Sequence, residues 1–419
     1  MTETPSLRHL LAVAEIARQG SFRRAADSIH LSQPALTQAV QRLEAELGDA
    51  LFERGHGGVA PTEAGRLLAA RIDRAFAWLK AAERSIAPRA APIHRLVTNL
   101  QLRALTAVVD GGSVSLAAGR LGMAQPGVSR ALRDLETLCG RALFARAPHG
   151  LEPTGDARTL ARYAGLAFAE IRQGMEELRE RRGLIDGRIA IGSLPLARTA
   201  LLPDAVTRLL QVLPGVAVRI VDGPYRELLH ALRHGQIDMI VGALRTPSPA
   251  ADITQEPLFR DPLAIVVRPG HPILGGSAPS LEVLARLDWI VPIEGTPARR
   301  NFTDLFAARG VAPPARLIEC SSQVAIRGLL LRSDRAALLS ASQVEFETSA
   351  GQLTVLPMTL PGAEREIGLT TRADWRPTSA QARFLDIIRD TVSIRSEMDP
   401  PVRTTGTGLL VGKFAAPTS

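Results

Sequence analysis

Residues 20 to 62 of the chain recur without a gap at residues 112 to 154. At this offset of 92 positions, 17 of 43 residues are identical, which marks the N-terminal half as a duplication whose copies each fold as one supersecondary unit. The shared frame reads Gly20-Ser21, Ala25-Ala26, Gln33-Pro34, Leu43-Glu44, Ala50-Leu51-Phe52, Arg54, Gly58 and Pro61-Thr62, with counterparts running from Gly112-Ser113 to Pro153-Thr154.

Each copy reads as helices with definite breaks. In the first, Leu7, Leu10, Leu11, Ala14 and Ala17 lie at three-and-four spacing and make one apolar face that stops at Gly20. Ser21 caps a second, short helix that turns Phe22, Ala25, Ala26 and Ile29 inward, and the small alanines let another helix approach closely. After a turn at His30-Leu31, Ser32 caps a third helix, whose first turn tolerates Pro34 because N–H groups there have no intrahelical partner. This helix carries Leu36, Val40, Leu43 and Leu47 inward and Gln33, Ala35, Thr37, Gln38 and Gln41 outward. Gly48 ends it, and Leu51 to Gly58 reads as a strand and hairpin wing. Helix, tight turn and helix with a polar outer edge is the layout of a major-groove reader. A three-helix packing module without a ligand is the competing reading, and the ordered A-A, S-Q-P, L-E, G-x-x-L-F-x-R and P-T motifs weigh against it.

On these motifs residues 7 to 65 resemble the DNA-binding domain of the LysR family of bacterial transcription regulators. The resemblance implies double-stranded DNA as partner, contacted by Ser32, Gln33, Pro34, Thr37, Gln38, Gln41 and Arg54 in the first copy. In the second copy the corresponding set is Gln125, Pro126, Ser129, Arg130, Arg133 and Arg146. The family presents Ser and Arg from its reading helix. Ser129-Arg130 keeps that pattern, whereas Thr37-Gln38 lacks the guanidinium that grips guanine or phosphate bidentately. Conversely, Ala124 replaces the Ser32 cap, at a cost of about 1 kcal/mol. Arg54 and Arg146 open the wings, where they either meet phosphate or pair with the preceding helix. Family members usually carry one such domain, so two divisions of labour stand open: both copies read DNA, giving four heads per dimer, or one reads while the other serves packing.

Leu68, Ile72, Ala75, Leu79, Ala82 and Ile86 follow a four-three rhythm, and Leu160, Ala164, Ala167, Ile171, Gly174 and Leu178 repeat it 92 positions later. Both stripes are similar to the LysR linker helix, which pairs with its twin in the dimer; packing of each helix on its own domain is the alternative. Pro88-Arg89-Ala90-Ala91-Pro92 reads as a stiff connector between the copies.

From Gly187 the period changes. Strand-like runs at 188–192, 216–221, 237–241 and 263–267 alternate with helical patterns at 200–212 and 225–234, predicting a parallel α/β sheet. A second set, at 289–291, 317–319 and 337–339, is followed by a late strand at 366–370 and a helix at 378–394 that return to the first lobe. Two lobes joined by two crossing strands leave a cleft. IDMIVGA and V-V-R-P-G-H-P make this half resemble the LysR effector domain, a type 2 periplasmic-binding-like fold. Ligands in such sheets bind beyond the carboxyl ends of strands, and by resemblance a small polar metabolite lies among Ser193, Leu194, Thr296, Ser321 and Ser322. Each of these also reads as a helix cap or loop residue.

The expected fold is therefore multidomain, with two tandem all-α winged helix-turn-helix modules and linker helices followed by a two-lobed α/β effector domain. The boundaries read as 1–65, a linker and connector at 66–92, 93–157, a dimerisation helix at 158–186, and 187–395. Lobe I takes 187–266 and 367–395, lobe II takes 267–366, and 396–419 is a disordered tail.

The net charge of +8 invites nucleic acid, but the basic residues are nearly all Arg and spread along the chain, so the motifs carry the argument. No uncharged stretch is long enough to cross a bilayer and no signal-peptide layout opens the chain, which gives a cytoplasmic, membrane-free expectation. Two cysteines, Cys139 and Cys320, make neither a disulfide framework nor a closed metal site. No cofactor, metal or catalytic residue is expected, since the chain lacks a G-x-S-x-G elbow, a Walker loop, a dinucleotide fingerprint and H-E-x-x-H. A homodimer or homotetramer through the linker helices is expected, with RNA polymerase a further candidate partner. The rival readings are an enzyme carrying a DNA-binding appendage and a protein-interaction adaptor without DNA.

Overall fold

The computed structural model describes residues 5–55, 58–86, 92–147, 150–199, 201–276, 278–358, 360 and 362–398. The wing tip at 56–57, most of the Pro-rich connector and the 399–419 tail lie outside these. Its N-terminal half begins with α1 (Leu7–Gln19), α2 (Phe22–Ser28), α3 (Gln33–Leu47), the hairpin β1 (Phe52–Gly55) and β2 (Gly58–Pro61), and the long α4 (Glu63–Ile86). A short α5 (Ile93–Leu96) follows. The order then repeats as α6 (Asn99–Gly111), α7 (Val114–Leu121), α8 (Gln125–Cys139), β3 (Phe144–Ala147), β4 (Gly150–Pro153) and α9 (Gly155–Arg181).

The repeated residues do the same work in both copies. Ser21 and Ser113 accept the N–H of Arg24 and of Leu116, which starts α2 and α7. Gly48 and Gly140, at φ of 65° and 67°, end α3 and α8 in the left-handed region that costs other residues a steric penalty. The hairpin is held by the glutamate of the L-E motif: Leu51 and Phe52 donate to Glu44 Oε1 at 2.7 and 3.3 Å, and Leu143 and Phe144 donate to Glu136 Oε1 at 2.8 and 3.2 Å. The P-T motif closes the wing and opens the next helix, since Thr62 donates its N–H to Leu51 O while its Oγ1 accepts from Gly65, and Thr154 does the same with Leu143 and Ala157.

The stripes on α4 and α9 meet each other inside one chain. Leu68, Ile72, Ala75, Leu79, Ala82 and Ile86 are buried in the same core as Leu160, Ala164, Ala167, Ile171 and Leu178, together with the inward faces of both repeats. The expectation that each stripe faces a twin in a second chain is thus corrected: the apolar surface of one is covered by the other, and little of either is left to bury elsewhere.

The C-terminal half contains β5 (Arg188–Ser193), α10 (Leu201–Val212), β6 (Ala217–Asp222), α11 (Tyr225–Arg233), β7 (Met239–Ala243) and the long β8 (Ile253–Val267). Then come α12 (Leu281–Ala285), β9 (Asp288–Val291), α13 (Pro297–Ala307), β10 (Leu317–Glu319), α14 (Gln323–Leu331), β11 (Arg335–Ser340), α15 (Glu345–Ser349), β12 (Thr354–Val355), β13 (Glu364–Arg372) and α16 (Ser379–Met398). The strand order is β10-β9-β11-β8-β13-β7-β5-β6, with β12 on β8. The sheet is mixed and not wholly parallel, because β8 and β13 run antiparallel to each other, β13 antiparallel to β7 and β8 antiparallel to β11. These two strands cross between two cores, one around Ile189, Leu209 and Phe384 and the other around Trp289, Phe302 and Phe306. Leu263 to Val266, expected in lobe I, pair with β11, and Leu263 and Ile265 pack with Trp289, so the crossover lies earlier in β8.

Candidate nucleic-acid interface and effector cleft

α3 and α8 present the same polar edge to solvent. Their N-caps, Ser32 and Ala124, have identical backbone angles, φ −72° and ψ 143°. The Ser32 Oγ accepts the N–H of Ala35 at 3.4 Å, and Ala124 has no side-chain equivalent. Ser32, Gln33, Pro34, Gln38 and Gln41 are exposed, and Thr37 is half-buried with its hydroxyl donated back to Gln33 O at 2.9 Å. On α8, Gln125, Pro126, Arg130 and Arg133 are exposed and Ser129 is half-buried. Gln125 is not wholly free, since its Nε2 donates to Ser115 Oγ at 2.8 Å. Arg146 is exposed on β3 and Arg54 falls at the matching position of β1. Neither edge is covered by the other described residues, so each repeat offers a row of donors and acceptors to a flat or grooved partner.

In the C-terminal half the expected residues sit at strand ends on both lobes. Ser193 closes β5, is 0% exposed, and its Oγ lies 3.4 Å from Leu194 O. Leu194 packs with Leu228 and Ile240 in the lobe I core. Thr296 caps α13, its Oγ1 accepting the N–H of Arg299 at 3.2 Å, and Ser322 caps α14 by accepting from Ala325 at 3.4 Å. Ser321 is exposed beside it, beyond the end of β10. Thr296 and Ser321-Ser322 therefore follow neighbouring strands of lobe II, while Ser193-Leu194 belong to lobe I. The turns at 195–198 and 341–343 touch across the lobes next to them.

Sequence reasoning missed the charged groups of this cleft. Arg245, just past β7, stacks its guanidinium 4.3 Å from the Tyr225 ring at the start of α11. Burial pushes the Arg245 pKa down, and repulsion from Arg300 of lobe II and Arg365 of β13 adds to it. Arg365 is itself neutralised by Asp261, which also accepts from Ser340. Arg245 and Arg300, one from each lobe, remain as positive charges close enough to repel each other. The only sequence trace of this was an Arg two residues past the IDMIVGA strand.

Among the described residues no helix is long and apolar enough to cross a membrane, and no group of His, Cys, Asp or Glu is arranged to hold a metal ion.

Two family descriptions match the chain: the LysR substrate binding domain over residues 182–393, and the bacterial regulatory helix-turn-helix protein of the lysR family over residues 7–66 and 100–158. The HTH-type transcriptional regulator GalR of Pseudomonas putida is 33% identical over 391 residues, covering 93% of this chain and 98% of that protein. A DNA-binding helix-turn-helix part joined to an effector-binding domain of mixed helix and sheet defines a class of ligand-responsive transcription regulator. The chain belongs to the LysR family of these regulators. Its fold is similar to full-length OxyR from Pseudomonas aeruginosa, with TM-score 0.53, 22% identity, and coverage of 70% of this chain and 94% of that one. It is similar too to CbnR in complex with its target DNA, with TM-score 0.50, 20% identity, and coverage of 70% and 98%. Each solved chain is nearly used up by 70% of this one, whereas the Pseudomonas putida relative is long enough to span both repeats.

Proposed function

We propose that both repeats are winged helix-turn-helix modules that read promoter DNA, and that a small acidic metabolite held between the lobes modulates this binding. α3 and α8 are the reading helices. Ser32, Gln33, Pro34, Thr37, Gln38 and Gln41 on one, and Gln125, Pro126, Ser129, Arg130 and Arg133 on the other, face bases and phosphates. Arg54 and Arg146 contact the backbone from the wings. The single observation that carries this reading is that two edges with the same cap geometry are both left open to solvent. Footprinting of the region upstream of its own operon tests it. Arg130→Ala and Gln38→Ala are each expected to shrink or weaken the protected site, and protection unaffected by one of them removes that repeat from the reading.

The effector sits among Thr296, Ser321 and Ser322, with Arg245 and Arg300 favouring an anion because it relieves their mutual repulsion, and it reaches Ser193 and Leu194, buried in lobe I, only if that strand end opens. In this reading the protein works in the cytoplasm, is not an enzyme, acts on RNA polymerase from the promoter, and associates with other copies through surfaces other than the α4 and α9 stripes.

A further inference from the structure

The two repeats are related by more than sequence. The backbone N–H of Leu7 donates to Asn99 Oδ1 at 2.8 Å, and these residues stand 92 positions apart. They are thus the same position of the two copies, facing each other. In a twofold arrangement only positions near the axis meet their own counterparts.

The long helices obey the same relation. Contacts run from Glu63 with Arg181, through Arg71 with Glu170, to Trp78 with Tyr163, so α4 and α9 are antiparallel. Arg71 lies four residues before Ala75 and Glu170 three after Ala167; Trp78 lies three after Ala75 and Tyr163 four before Ala167. One pair therefore becomes the other when the copies are exchanged, which places Ala75 opposite Ala167 on the axis. Both alanines are buried, and at Gly174 an added Cβ would stand 2.9 Å from Arg71 Cβ, so the helices touch closely beside this crossing.

We infer that one chain is a complete reading unit for an inverted-repeat DNA site with chemically unequal halves, because α3 and α8 are displayed about an internal twofold axis. This rests on the reading of α3 and α8 as DNA-facing helices. A twofold pair of reading helices meets two half-sites of opposite orientation. A homodimer must read both halves with the same residues. Here Thr37-Gln38 addresses one half, where Gln pairs in bidentate fashion with adenine, and Ser129-Arg130 addresses the other, where Arg pairs with guanine.

In vitro selection from a random duplex pool by the full-length protein tests this. The wild type is expected to enrich an inverted repeat with two different halves. The variant Thr37→Ser/Gln38→Arg should change only one half toward the sequence of the other, and Ser129→Thr/Arg130→Gln only the opposite half. Each should bind the wild-type site about tenfold more weakly. A direct repeat, a symmetric wild-type motif, or a motif that responds to only one of the two variants overturns the inference while leaving a DNA-binding regulator standing. No enrichment by a folded protein sinks the DNA-reading proposal itself, and this inference with it. The axis has its own check: Ala75→Cys/Ala167→Cys in a Cys320→Ser background should oxidise to a cross-link that runs at the mass of one chain. A two-chain product, or no cross-link, denies the internal pairing.

Discussion

Arg71 on α4 and Glu170 on α9 form an ion pair of 2.8 Å whose side chains are only 6% and 7% exposed. The same guanidinium meets Glu177 Oε2 at 3.0 Å, Gln173 Oε1 at 3.2 Å and the carbonyl of Arg376 at 3.0 Å, just beyond the crossing strand β13. It ties the helix pair to the effector half. Arg71→Ala strips Glu177 of its partner and leaves Glu170 with Arg74 alone, and urea unfolding should show a loss of about 3 kcal/mol. Changing Arg71, Glu170 and Glu177 together to Met, Leu and Leu should recover most of it, because desolvation of the charges then disappears as well. A triple variant as unstable as the single one contradicts this account.

The wing glutamates should behave alike in both repeats. Glu44→Ala and Glu136→Ala each free two backbone N–H groups and are expected to cost about 1–3 kcal/mol. Glu44→Gln and Glu136→Gln keep the acceptor and should cost less. Limited proteolysis at the hairpins reads the same order, and equal cleavage of the Ala and Gln variants would show that the carboxamide oxygen cannot do this work.

The caps predict opposite signs. Ser32→Ala should lower stability by about 1 kcal/mol, whereas Ala124→Ser, at a site with the same backbone angles, should raise it by a similar amount. Thermal denaturation separates the two directions, and a destabilising Ala124→Ser would mean that the added hydroxyl never reaches the helix N–H groups.

Two groups in the chain are shifted in opposite directions. Burial pushes Glu176 up to about 7, and its Oε2 has no hydrogen-bond partner among the described residues. Burial, reinforced by His230 stacked at 3.7 Å, pushes His234 down to about 4. The raised carboxyl contributes stability that is complete below its unfolded value of 4.5 and is lost as pH climbs to about 7. The depressed imidazole contributes stability that is complete above 6.5 and is lost as pH falls to about 4. In the wild type these slopes largely cancel between the two limits. Glu176→Gln should therefore expose a urea midpoint that rises with pH, and His234→Asn one that falls. Two variants with the same slope would exclude the assignment.

Arg245 should matter to acids and not to neutral ligands. Among aromatic and sugar acids screened by thermal shift, any that stabilises the wild type should bind Arg245→Gln about tenfold more weakly, the loss of a charge-assisted hydrogen bond. Undiminished binding would place the anion elsewhere.

The helices of both repeats were legible because each carries its own period, breaks and caps within a dozen residues. The function of the L-E glutamates was not, since a carboxylate aimed at a hairpin seven residues later looks like any polar residue on an amphipathic helix. The stripes of α4 and α9 were read correctly as apolar seams, but a period says nothing about which chain supplies the partner. The first half of β8 was hidden by Pro257 and Pro262, which interrupt the alternation although the segment pairs with β13 a hundred residues away. Ser193, Thr296 and Ser322 stand at the strand end and helix caps where a local rule put them. Tyr225, Arg245 and Arg300 escaped because they belong to separate elements that only the assembled sheet brings together.

The internal axis has an evolutionary consequence. If α3 and α8 both read DNA as proposed, a mutation at Arg130 leaves Gln38 untouched, so each half of the recognition code drifts under its own selection. A regulator assembled from identical subunits has no such freedom, because every change in its reading helix is imposed on both halves of its target at once.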